Sequence, residues 1–247
     1  EHSALAFDSQ NVSFWSEVEA QYVAYFRTWS KLNDPGPHTE ADAKHGLRRI
    51  SRAVSADYRH WRPSTLMRYL THGVPSPEEH LYVNQTQPYF RAPHIYVAFP
   101  ARFMPGRQAI TDADAERLGL HEAQVNACSE PCFMTTRPGR DYYDRTFMTP
   151  LLRPGIGPEH WSARSNYPSY GLIQTSPTEM SLFIDECYGQ LENRLRRHTL
   201  RVDGFCSVHT GYRGGELLTK PLTFTGSELE LNYATGVSGG LRVEIRD

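Results

Sequence analysis

The chain has 247 residues, is 39% hydrophobic and 22% charged, and carries a net charge of −2. That is ordinary for a globular protein with room for one large all-β domain or two smaller ones. Arginines are scattered and no long basic block exists, which argues against a dedicated nucleic-acid surface, and no apolar run reaches the length of a membrane span.

Residues 1–27 open with Val12 and Phe14 alternating with polar neighbours, then a second apolar run over Tyr22–Phe26. The polar SEVEAQ segment between them predicts a hairpin turn. Residues 28–46 hold Pro35, Gly36 and Pro37 and read as a long surface loop. LRRISRAV at 47–54 reads as a strand. Ser55–Trp61 then reads as a turn closing on a buried Trp61, with Asp57 accepting backbone N–H groups.

The stretch from His80 to Phe103 carries two apolar runs, Leu81–Val83 and Ile95–Phe99. Pro88 and Pro93 exclude a regular helix between them. The reading is strand, ordered turn, strand, with Arg91 and His94 at the turn and placed to meet a polar ligand. Residues 111–127 are the best helical segment, capped by Thr111 or Asp112 and weakened by Gly119.

Short β pieces follow at 130–153, around a PGRD turn. YGLIQT and MSLFIDECYG predict a hairpin about Ser176-Pro177, and LRRHTLRVDGFCSVH predicts two strands about Asp203-Gly204. The basic run at 194–201 is flanked by Asp185, Glu186 and Asp203 and reads as a solvated or structural face. From 212 onward the chain turns to short alternating strands between glycines. Leu229, Leu231 and Tyr233 share one face there, as do Leu241, Val243 and Ile245, a half-buried antiparallel pattern.

Four cysteines stand at 128, 132, 187 and 206. Cys128 and Cys132 have no second close pair, which argues against structural zinc and leaves a local disulfide open. The eleven histidines are spread singly without an H-E-x-x-H pattern, so no metal site is expected. Nothing points to a cofactor.

A unit of an apolar strand pair, a third strand and an aromatic-closed turn recurs about three times along the chain. About four strands per unit is what a β-propeller blade requires. Phe7-Asp8-Ser9, VSFW, YVAYFR and S-A-D-Y-R-H-W resemble the first such unit of the five-bladed β-propeller glycoside hydrolases, the broad class of invertases, levanases, arabinanases and β-xylosidases. LRRHTLRVDGFCSV and GGELLTKPLTF resemble bacterial proteins that join such a propeller to a β-sandwich.

The resemblance implies an all-β protein, with propeller blades over 1–204 and the start of a C-terminal β-sandwich over 205–247. Further blade residues would precede Glu1. The Glu-Cys-Pro acid motif of invertases has no counterpart, its place being taken by Arg91-Ala92-Pro93.

Glycoside hydrolysis needs two carboxyl groups, one to donate a proton and one to act as nucleophile or base. The candidates are Asp8, which the resemblance places ahead of a strand as a stabilising carboxylate, and Glu130 as the acid. Arg91, His94, Arg102 and Trp61 are candidate sugar contacts, through hydrogen bonds or ring stacking. Asp8, Arg91 and His94 are expected to share one pocket. Asp185 and Glu186 are adjacent, so a regular strand points them to opposite faces. The expected ligand is a carbohydrate, with neither nucleic acid nor membrane as partner. The two readings are a glycoside hydrolase and a non-catalytic carbohydrate-binding or scaffold protein on the same fold.

Overall fold

The computed structural model describes residues 7, 9–30, 46–145 and 148–246, and it is mostly β. The chain divides into two compact units, Glu1–Phe205 and Cys206–Asp247.

In the first unit, β1 (Val12–Ser16) and β2 (Gln21–Ser30) form the expected hairpin across Glu17–Ala20. β3 (Leu47–Ser55) and the short β4 (Thr65–Leu66) complete an antiparallel sheet in consecutive order. The alternation of β2 sends Val23 and Tyr25 inward, where they meet Ile50, Met67 and Tyr143. The part of the predicted 28–46 loop over 31–45 lies outside the described residues.

β5 (Arg68–Thr71) and β6 (Val74–Pro75) lead to β7 (His80–Tyr82), β8 (Gln87–Tyr89), β9 (Ala92–Ala98) and β10 (Ala101–Pro105). The strand-turn-strand expectation over 80–103 is corrected here. β8 lies between the two predicted strands, and the turn tightens to Phe90-Arg91, so His94 belongs to β9. The two predicted strands also part company: β7 pairs with β10, while β9 pairs with β8 and β12.

α1 (Asp112–Leu118) and α2 (Glu122–Val125) occupy the segment expected to be helical. Thr111 caps α1 by accepting from the Asp114 amide, and Gly119 ends it at φ 64°, a left-handed conformation that glycine adopts without a Cβ penalty.

β11 (Ala127–Pro131), β12 (Met134–Thr136) and β13 (Tyr142–Asp144) follow. β11, β10 and β7 form one sheet; β6, β5, β13, β12, β9 and β8 form another, in that order. β13 pairs with β5 in parallel, a connection that a consecutive meander does not contain. A 3-10 turn (Pro158–Trp161) precedes β14 (Tyr167–Pro168), β15 (Ile173–Gln174), β16 (Glu179–Glu186) and β17 (Arg194–Arg201). β15 and β16 make the hairpin expected about Ser176-Pro177, and β17 lies along the other edge of β16. Met180, Leu182 and Ile184 of β16 are buried among Phe99, Phe133 and Val202, a gain of about 1.5–3 kcal/mol for each side chain so enclosed.

Two local expectations fail. Only one strand forms in 195–209, because the chain turns at Asp203, φ 61°, with the Gly204 amide bonded to the Arg201 carbonyl at 2.8 Å. Cys128 and Cys132 are free. Cys128 lies in a strand that runs on to Pro131, and at ~3.3 Å per residue an extended chain holds such positions too far apart for a disulfide.

The second unit contains no strand among residues 206–246, and those residues are exposed. The alternating faces of Leu229, Leu231 and Tyr233 and of Leu241, Val243 and Ile245 stand in solvent. Alternation buries only one face of a strand, so such strands need a second layer or neighbouring strands before they persist.

Candidate functional site

Two polar arrangements are built into the first unit. The first is a buried charge cluster. Arg102 and Glu130 are register partners on β10 and β11. The Arg102 guanidinium donates to Glu130 Oε1 through Nε at 2.9 Å and also through Nη2, and its Nη1 reaches Glu79 Oε1 at 3.3 Å and the Met148 carbonyl at 2.8 Å. Arg145, fully enclosed, lies 2.8 Å from the other oxygen of Glu79. Two guanidinium groups thus face two carboxylates, so the cluster is balanced in charge; Arg145 and Glu130 are withdrawn from water, while the Glu79 side chain stays 28% exposed. Such a group is tolerated in an interior because every ion has a partner.

The second arrangement is an open cleft of about 530 Å³ whose lining includes Gln124, Arg164, Asp185, Tyr188, Gln190 and Asn193. Its walls come from α2, from the segment after the 3-10 turn and from the turn that follows β16. That turn is fixed from several sides. The Gln124 amide donates to the Tyr188 carbonyl at 3.1 Å, the Tyr188 amide to Ser165 Oγ at 3.0 Å, and the Gln190 amide to the Glu159 carbonyl at 2.7 Å. Gly189 sits at φ 74°, and a Cβ there would run into the Gln124 amide.

Three non-glycine residues around the cleft also hold left-handed backbone: Arg164, Asn166 and Cys187, at φ 67°, 66° and 58°. Each such conformation costs about 1–3 kcal/mol and persists only where the surroundings enforce it. Asn166 is enforced by donating to the carbonyls of Ser129 at 3.1 Å and His160 at 2.9 Å, and the Arg164 amide is held by Ser129 Oγ at 3.0 Å.

Asp185, one residue before the end of β16, lines the cleft and accepts from Asn193 at 2.7 Å. Burial pushes its pKa above the usual aspartate value, against the opposing effect of that hydrogen bond. Glu186, the next residue, is buried and paired with Arg194 at 3.0 Å and Arg196 at 3.2 Å. The two carboxylates thus serve different surroundings, as strand alternation requires. Tyr188 offers an exposed ring, with the Arg164 guanidinium 5.9 Å from its centroid.

The residues singled out from the sequence are dispersed. Asp8 lies outside the described residues. Arg102 and Glu130 meet in the buried cluster, and Glu130 is 5% exposed. Arg91 pairs with Asp203 at 2.7 Å, and Asp203 also accepts from the Tyr89 hydroxyl at 2.5 Å. Arg91 therefore fastens the β8–β9 hairpin to the turn that follows β17. His94 is exposed on β9.

Trp61 is corrected from buried to 37% exposed, because its indole N–H bonds to the Tyr58 carbonyl at 3.1 Å and the turn carries the ring outward. Arg164, Tyr188 and Asn193 carried no motif in the sequence. The one available signal was Gly189 inside the turn that follows β16.

Among the described residues no three His, Cys, Asp or Glu side chains are grouped to hold a metal ion, and no helix is long and apolar enough to cross a membrane. No family model, curated protein or solved structure matches the chain.

Proposed function

We propose that the protein is a carbohydrate-active hydrolase whose ligand enters the cleft beside Asp185. The observation that carries this reading is Asp185 itself: a half-buried residue that lines an open polar cleft and whose pKa burial raises. A carboxyl kept closer to its protonated form is what a general acid needs in order to protonate a leaving glycosidic oxygen. Arg164 and Tyr188 line the same cleft, a guanidinium suited to sugar hydroxyls and a ring suited to a sugar face. Glu130, the acid chosen from the sequence, yields that role to Asp185, because its carboxylate is committed to Arg102.

The resemblance to five-bladed propeller hydrolases belongs to the same reading. The consecutive antiparallel order β1-β2-β3-β4 supports it, being the order a blade requires. Asp8, just ahead of β1 in the sequence, is the second carboxylate of this reading, stabilising positive charge on the sugar.

The test is Asp185→Asn, assayed on a panel of fructofuranosides, arabinofuranosides and xylosides. Hydrolysis of natural glycosides should fall by about 10²–10⁴-fold. Aryl glycosides whose leaving group departs without a proton should lose far less. Equal loss on both substrate types, or none on either, overturns the acid assignment. Sugar binding without turnover of any glycoside favours the second reading, a non-catalytic carbohydrate-binding protein.

A further inference from the structure

One face of the first sheet carries a row of exposed aromatic rings outside the cleft. Trp15 on β1 and Tyr22 on β2 are cross-strand partners with centroids 5.0 Å apart. Tyr22 meets Tyr58 at 5.1 Å, and Tyr58 meets Trp61 at 5.4 Å. Trp15, Tyr58 and Trp61 are 42%, 52% and 37% exposed, unusual for rings of this size placed side by side.

The row is held in place rather than draped. Tyr58 sits at φ 65°, a conformation disfavoured for a bulky residue. Its hydroxyl bonds Ser13 Oγ at 2.8 Å and its carbonyl accepts the Trp61 indole N–H. Asp57 locks the turn by accepting from the Arg59 and His60 amides at 2.9 and 2.8 Å and by pairing with the His60 ring at 2.6 Å.

The same turn presents Arg59 and Arg62, both exposed and neither in an ion pair among the described residues. The nearby acids are mostly engaged. Asp57 is taken by His60 and Glu19 by Arg52, which leaves Glu17 in the β1–β2 turn. The surface is therefore aromatic with a basic edge.

We infer that the Trp15–Tyr22–Tyr58–Trp61 row, with Arg59 and Arg62, binds an anionic polysaccharide whose sugars bear carboxylate or sulfate groups. The C–H face of a pyranose packs on an exposed ring, and a guanidinium meets a carboxylate or sulfate with paired N–H donors. A nucleic acid fits the surface less well. Tight binding of that polymer rests on neutralising many phosphates, and this chain offers two free arginines here and a net charge of −2 overall. The site does not depend on the assignment of Asp185, which lies on another sheet.

The experiment is affinity electrophoresis of the full chain through gels containing polygalacturonate, dextran sulfate, neutral dextran or single-stranded DNA. Retardation by polygalacturonate or dextran sulfate, and none by dextran, is expected; which of the two acts tells carboxylate from sulfate. Arg59→Ala/Arg62→Ala and Trp61→Ala should each weaken it at least tenfold. The double arginine variant decides the matter should Trp61→Ala disturb folding, because neither arginine side chain supports the turn. No retardation in either anionic gel, equal retardation in dextran, stronger retardation in DNA, or full binding by the arginine variant overturns the proposal.

Discussion

Arg102→Met removes a guanidinium that Glu130, Glu79 and the Met148 carbonyl share. Methionine keeps much of the stem that packs between the strands, so the perturbation is mainly electrostatic. Glu79 retains Arg145 at 2.8 Å, but Glu130, 5% exposed, is left without that partner. Breaking a buried ion pair from one side costs about 3–5 kcal/mol, because the remaining charge stays out of water. At roughly 2–4 °C per kcal/mol for a chain of this length, the melting temperature should fall by about 6–20 °C.

The assay is thermal unfolding followed by near-ultraviolet circular dichroism. Adding Glu130→Met to Arg102→Met should recover a large part of the loss, since two apolar side chains replace a broken pair. The shift should also be nearly independent of added salt, because buried pairs are little screened. A single variant that melts within about 2 °C of the parent, or a double variant that simply adds the two single losses, would refute the cluster as a coupled buried unit.

Gly189→Ala should destabilise by about 1–2 kcal/mol from its left-handed backbone alone, and also weaken ligand binding in the cleft by displacing Gln124; chemical denaturation and ligand titration check both. His80 should titrate at about 4 by nuclear magnetic resonance, because burial and then the Arg48 charge disfavour its cation. Its ring accepts the Arg48 amide at 3.2 Å. The unfolded chain takes up that proton first, so stability should fall as the pH drops from about 6.5 toward 4, and His80→Phe should flatten the fall.

His60 should titrate above its ordinary 6.5, because of its hydrogen bond with Asp57 and then the carboxylate's charge. Its small contribution is present at pH values below 6.5 and lost as the pH rises through the raised value. Asp57→Asn should return the midpoint toward 6.5, and an unchanged midpoint would show that the pair does not form in solution.

The sequence by itself determined the features that rest on neighbours along the chain. The β1–β2 hairpin follows from alternation around a polar turn. The Asp57 turn follows from a short acid that reaches amides two and three residues ahead. The break between α1 and α2 follows from Gly119, and the opposite fates of Asp185 and Glu186 follow from strand alternation. These interactions span a few residues, and side-chain type is enough to specify them.

Only the tertiary structure decided the rest. Glu130, a candidate acid from the sequence, became a buried partner of Arg102, 28 positions away. Arg91 found Asp203, 112 positions away. β13 joined β5 in parallel, and Asp185 gained a cleft from α2 and the turn at Gly189. Ion pairs, strand partners and pockets are set by which segments pack together. A residue's own neighbours in sequence carry no record of the charge or edge it will meet across the fold.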